Sequence, residues 1–83
     1  MRIDWIEDLV ALLDTGGVAD AARLRNLTQP AFSRRIKVLE DVLGIDVIDR
    51  SVKPSGPSQV LRDHESDLRK LATEQRVLLS EMR

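Results

Sequence analysis

The segment from Thr28 to Gly44 restricts the fold more than any other part of this chain. Thr28 is a good helix N-cap, Pro30 is tolerated in a first turn where its missing N–H loses no bond, and Gly44 is a natural C-terminal stop. A helix from about Gln29 to Leu43 is therefore expected. At 100° per residue its apolar members Phe32, Ile36, Leu39 and Leu43 share one narrow arc, and Gln29, Pro30, Ser33, Arg34 and Lys37 are assigned to the other side. Such a helix needs neighbours along one face and offers hydrogen-bonding and cationic groups on the other.

The flanking sequence supplies those neighbours. Ile6, Leu9, Val10 and Leu13 recur at helical spacing from Ile3 onward, with Asp4, Glu7 and Asp8 in the first turns, and Gly16-Gly17 closes this first helix. Val18, Ala21, Ala22 and Leu24 make a short second helix whose alanines allow close approach, and Asn26 suits a tight, left-handed turn after it. Beyond Gly44 the period changes. Ile45-Asp46-Val47 alternates like a strand and Lys53-Pro54-Ser55-Gly56-Pro57 carries turn signals, which together predict a small β-hairpin wing. Ser58 can cap a last helix, in which Leu61, His64, Leu68, Leu71, Gln75, Leu78 and Met82 recur at alternating spacings of three and four. A seam that regular holds more apolar surface than a monomer of 83 residues needs, and it predicts a homodimer. The expected organisation is mostly helical: a winged helix-turn-helix over residues 1–57 and a linker and dimerisation helix over 58–83.

Trp5 and Phe32 are the only aromatic residues, so the core must come from Leu, Ile, Val and Ala. Trp5, near the start of an amphipathic helix, is expected in that core. There is no cysteine, which excludes disulfides and thiolate chemistry, and the Met1-Arg2-Ile3-Asp4 start runs directly into amphipathic sequence with no apolar leader or membrane span. A cytoplasmic location is the expectation. The net charge of −1 is unevenly spread: Arg23, Arg25, Arg34, Arg35 and Lys37 fall between Ala21 and Leu39 without one acid, while the segments on either side are acidic. A basic island of this kind can form a one-sided positive face suited to nucleic acid. No G-x-S-x-G, phosphate loop or metal-ligand cluster occurs, and one histidine makes no catalytic constellation, so neither an enzyme nor a cofactor is expected.

The run Leu27-Thr28-Gln29-Pro30-Ala31-Phe32-Ser33-Arg34-Arg35-Ile36, followed by Leu39-Glu40 and Leu43-Gly44, resembles the signature of the LysR-type transcriptional regulators. The upstream Gly17, Ala21-Ala22 and Leu24, Arg50 in the wing and the long closing helix are similar to that family as well. The chain departs from the family pattern at Ile48 and from Pro57 to Leu61. The resemblance implies a winged helix-turn-helix that binds duplex DNA, with a linker helix pairing two protomers in an antiparallel coiled coil. It also implies an imperfectly palindromic operator. Family members carry an effector domain after the linker helix, so a small-molecule effector would act only through a domain lying outside this chain.

Each candidate contact has a plainer reading beside it. Gln29 can bond bidentately to an adenine edge, or it is a solvated amide; the resemblance favours the contact. Pro30 offers apolar contact to a thymine methyl or simply starts the helix. Thr28 and Ser33 can donate hydroxyl bonds to phosphates, and Arg34 and Lys37 can reach phosphates or guanine. Arg35 points away from that side and suits a flanking phosphate or an internal ion pair. Arg50 and Lys53 are candidates for the minor groove or its phosphates. His64 in the seam is read as a residue that sets register. Two alternatives stay open: a short regulator acting by mixed dimerisation with a longer one, and a coiled-coil adaptor that never touches DNA.

Overall fold

The computed structural model describes residues 3–83; the Met1-Arg2 start, and the expectation attached to it, lie outside the described residues. Helix α1 (Ile3–Thr15) is followed by α2 (Val18–Leu24), α3 (Gln29–Leu43), strand β1 (Ile48–Asp49), strand β2 (Gly56–Pro57), α4 (Gln59–Asp63) and α5 (Glu65–Glu81). The two strands form an antiparallel wing with Ile48 opposite Pro57 and Asp49 opposite Gly56. Among the described residues no helix is long and apolar enough to cross a membrane.

Helix α1 is the central element. Trp5, Leu9 and Leu12 pack with Ala21 and Ala22 of α2 and with Phe32, Ile36 and Leu39 of α3, while Ile6 and Val10 look the other way and meet Ala72 of α5. A single apolar stripe was expected here; a helix enclosed on both sides is found, and Leu13 of that stripe is only half-buried. Full burial of a Leu or Phe side chain contributes about 1.5–3 kcal/mol. Phe32, Leu12, Ile36 and Leu39, each at 2 % exposure or less, therefore carry much of the fold.

The turn chemistry follows the sequence closely. Gly17 caps α2, Asn26 takes a left-handed φ of 60°, and the Thr28 hydroxyl accepts from the Ala31 N–H at 3.3 Å. Gly44 ends α3 in the left-handed region with φ 73°. The Ser58 hydroxyl likewise accepts from Leu61 N–H at 3.3 Å.

Four expectations are corrected. The strand begins at Ile48 rather than Ile45, because Val47 turns inward to the core and Ile45 is left exposed. Gly56 and Pro57, expected in the turn, form β2; Gly56 lies so close against the Gly16 carbonyl that no side chain fits between them. Finally, the last helix is interrupted at His64, whose ring Nδ1 lies 2.8 Å from the Val60 carbonyl oxygen. Leu43 also differs from its expected role, since it is half-exposed on the last turn of α3 while Glu40 is buried in its place.

Candidate nucleic-acid interface

Helix α3 is held by its apolar arc and by Asp8, a carboxylate on α1 with no exposed surface. Asp8 accepts from Arg25 Nε at 2.8 Å and from Arg35 Nε at 2.9 Å, joining α1 to the end of α2 and to α3. Arg35 also pairs with Asp4 at 2.9 Å. The hydrogen bond to Asp8 holds the Arg35 guanidinium above its ordinary pKa. Of the two readings open for Arg35, the internal ion pair is the one observed.

The opposite side of α3 is open. Thr28, Gln29, Pro30, Arg34 and Lys37 are exposed and Ser33 is half-buried. Gln29 lies rotationally between the apolar arc and Lys37; it is exposed because it opens the first turn of α3, beside a groove. That groove runs between the start of α2, the start of α3 and the wing, and both Gln29 and Lys53 line it. Residues distant in sequence thus meet at one site. The Thr28 hydroxyl, having accepted from Ala31, keeps its own hydrogen to donate outward.

The cations divide into two groups. Arg34 and Lys53 face no carboxylate within ion-pairing distance among the described residues, and Lys37 makes only an exposed pair with Asp41 at 3.3 Å. Arg23 makes a similarly exposed pair with Asp20. Arg50 is different. Its guanidinium meets the buried Glu40 carboxylate, Nη2 to Oε1 at 3.0 Å and Nη1 to Oε2 at 3.3 Å, although half the side chain remains exposed. Glu40 and Asp8 were not singled out from the sequence. The available signal was an acid at the edge of the apolar arc of α3, and an acid on α1 spaced to face the bases of the island.

The expected seam of the last helix is split. Leu61 is buried in the main core and Leu68 packs against both clusters, whereas Leu71, Leu78 and Met82 are exposed; His64 is exposed and Gln75 half-buried. Ala72, outside the expected seam, is the residue buried against α1. Two ion pairs fasten α5 beside it, Arg69 to Asp14 at 2.6 Å and Arg76 to Glu7 at 2.8 Å. No group of His, Cys, Asp and Glu able to hold a metal occurs among the described residues.

The whole helix-turn-helix and wing, residues 3–62, match the model of the bacterial regulatory helix-turn-helix proteins of the lysR family. The chain belongs to the LysR family. It is 35 % identical over 79 residues to the HTH-type transcriptional regulator YjiE of Escherichia coli K12, covering 95 % of this chain and 26 % of that protein. Among solved structures it is similar to Vibrio fischeri DarR in complex with DNA, at TM-score 0.84 and 35 % identity, over 99 % of this chain and 28 % of the other. It is also similar to full-length HypT of Salmonella typhimurium, a hypochlorite-specific LysR-type regulator, at TM-score 0.82 and 34 % identity, over 100 % of this chain and 29 % of the other. The chain thus spans about a quarter of the length of these LysR relatives. The family match ends inside α4, so the exposed apolar residues of α5 lie beyond it.

Proposed function

We propose that this chain binds duplex DNA as the sequence-reading part of a transcription regulator in the bacterial cytoplasm, with α3 in the major groove and the wing beside it. The observation that carries this reading is the groove that Gln29 and Lys53 share, whose one lining carboxylate, Asp20, is paired with Arg23, together with the exposed Arg34 farther along α3, which has no ion-pair partner among the described residues. An amide at the start of a helix can read a base edge in the major groove, and cations nearby supply phosphate contacts. Thr28, Pro30, Ser33 and Lys37 complete the contact face. Similarity to a regulator solved on DNA supports the assignment.

Dimerisation belongs to the same reading. Leu71, Leu78 and Met82 form the exposed remainder of the seam, and antiparallel pairing of two α5 helices through them would bury apolar surface that the single chain leaves in water. A two-fold dimer presents two α3 helices, and its site is an imperfect palindrome. The test is selection of bound duplexes from a random pool, followed by titration at several salt concentrations. A recovered palindromic consensus with affinity falling as salt rises supports the reading. Failure to retain any duplex at low salt overturns it.

A further inference from the structure

Glu40 makes more bonds than any other carboxylate of α3, and all of them reach the segment that builds the wing. Its Oε2 accepts from the Val47 N–H at 2.9 Å and the Ile48 N–H at 3.3 Å, and its two oxygens receive the Arg50 guanidinium. Ile48 is the first residue of β1, and Arg50 directly follows its end. At the other end of the wing the Ser55 carbonyl accepts from Val18 N–H at 3.1 Å. Lys53 lies between these two attachments and has no attachment of its own among the described residues.

We propose that Glu40 and Arg50 are a positioning pair that fixes the wing against α3 and so sets the reach of Lys53 into the groove, and that Arg50 is not itself a phosphate contact. The proposal rests on the DNA-binding reading above and assigns Arg50 a different role within it. A planar guanidinium that bonds a buried carboxylate through two nitrogens has two of its five donors committed inward, and giving them up to a phosphate would strand Glu40. Lysine cannot substitute in such a site, because a point charge lacks the two-pronged geometry.

The test compares wild type with Glu40→Gln, Arg50→Lys, Lys53→Ala and the double variant Glu40→Gln/Lys53→Ala. Affinity for the selected duplex is measured against salt, and amide hydrogen exchange is measured on the free proteins. A positioning role predicts that Glu40→Gln weakens DNA binding even though it removes a negative charge. The loss should approach that of Lys53→Ala, roughly 8-fold at 0.1 M salt for one phosphate contact with a slope of about 0.9. The double variant should then bind little more weakly than Lys53→Ala alone. Arg50→Lys should behave like Glu40→Gln despite keeping its charge. In the free proteins both variants should speed exchange at Val47, Ile48 and the wing while leaving α1 to α3 protected. Glu40→Gln binding as tightly as wild type or tighter, Arg50→Lys retaining wild-type affinity and slope, or additive losses in the double variant would each overturn the proposal. Unchanged exchange at Val47 and Ile48 would overturn it too, whether or not the wild type binds DNA.

Discussion

Replacing Asp8 by Asn removes one negative charge from a place where two guanidinium groups converge. Asp8 has no exposed surface, and the side chains of Arg25 and Arg35 retain 27 % and 22 % exposure. Removing one member of a buried ion pair costs about 3–5 kcal/mol, mostly from the charge left unpaired. Water still reaches both arginines, and Arg35 keeps Asp4, so the lower end of about 3 kcal/mol is expected for Asp8→Asn. For a domain of this size 1 kcal/mol moves Tm by about 4–8 °C, which gives a fall of about 12–24 °C. Trp5 is the only tryptophan and is 6 % exposed, so its fluorescence reports the core during urea or thermal unfolding at fixed protein concentration. Asp20→Asn is the control. Its pair with Arg23 leaves the two side chains 59 % and 78 % exposed, and an exposed pair contributes about 0–1 kcal/mol. Asp8→Asn unfolding within about 0.5 kcal/mol of wild type would show that Asp8 does not organise the three helices.

Gln29→Ala should relax preference at one base position of the selected consensus and cost about 1–3 kcal/mol against the best site; an unchanged consensus would show that the amide reads no base. Leu71→Glu, at a position 43 % exposed in the single chain, should leave the circular dichroism of the fold intact but dissociate the proposed dimer in sedimentation; a wild type that is monomeric, or a variant that stays dimeric, would refute an interface at Leu71. Burial pushes the Glu40 carboxyl up, but its bonds from Arg50, Val47 and Ile48 outweigh that and leave its pKa below the ordinary 4.5. A depressed carboxylate contributes stability above its unfolded pKa and loses it as pH falls through the folded value, so the urea midpoint of wild type should drop further below about pH 4.5 than that of Glu40→Gln.

The helices were legible because local chemistry and burial agree in them. Thr28, Gly44, Asn26 and Ser58 each perform the turn or cap function their residue type favours, and Phe32, Ile36 and Leu39 lie on the buried arc. The wing was legible as a hairpin but not in register. Its position depends on Gly56 approaching Gly16 and on Glu40 reaching Val47, and neither long-range contact has a periodic signature. The break at His64 and the burial of Ala72 in the last helix were illegible for a related reason. Heptad spacing identifies one face of a helix, yet α5 also has α1 to cover, and the small Ala72 marks the side that approaches it. The exposure of Thr28 and Arg34 was legible from helix geometry and that of Gln29 from its place in the first turn, whereas the pairing of Arg50 depended on an acid beyond its own segment.

The acidic composition and a DNA-facing role are reconciled by where the acids lie. Asp8 and Asp4 hold Arg25 and Arg35, and Glu40 holds Arg50, so three bases near α3 are engaged by carboxylates of the chain itself, of which Asp8 and Glu40 are buried and Asp4 is partly exposed. What remains is Lys53 in the groove and Arg34 on the exposed side of α3, neither with a carboxylate partner among the described residues, and Lys37, held only by an exposed pair; Asp20, which also lines the groove, is held by Arg23. Each cation that neutralises a phosphate contributes about 0.9 to the salt slope, so these three imply a slope of about −2.7 per protomer and about twice that for a dimer on a full site. A slope that shallow supplies little sequence-independent affinity, and discrimination must then come from base-edge contacts such as the one proposed for Gln29. Titration of a half-site and a full site across salt checks the arithmetic: a per-protomer slope near −5 would mean that the internally paired arginines turn outward on DNA, and the partition of cations drawn from the free chain would fail.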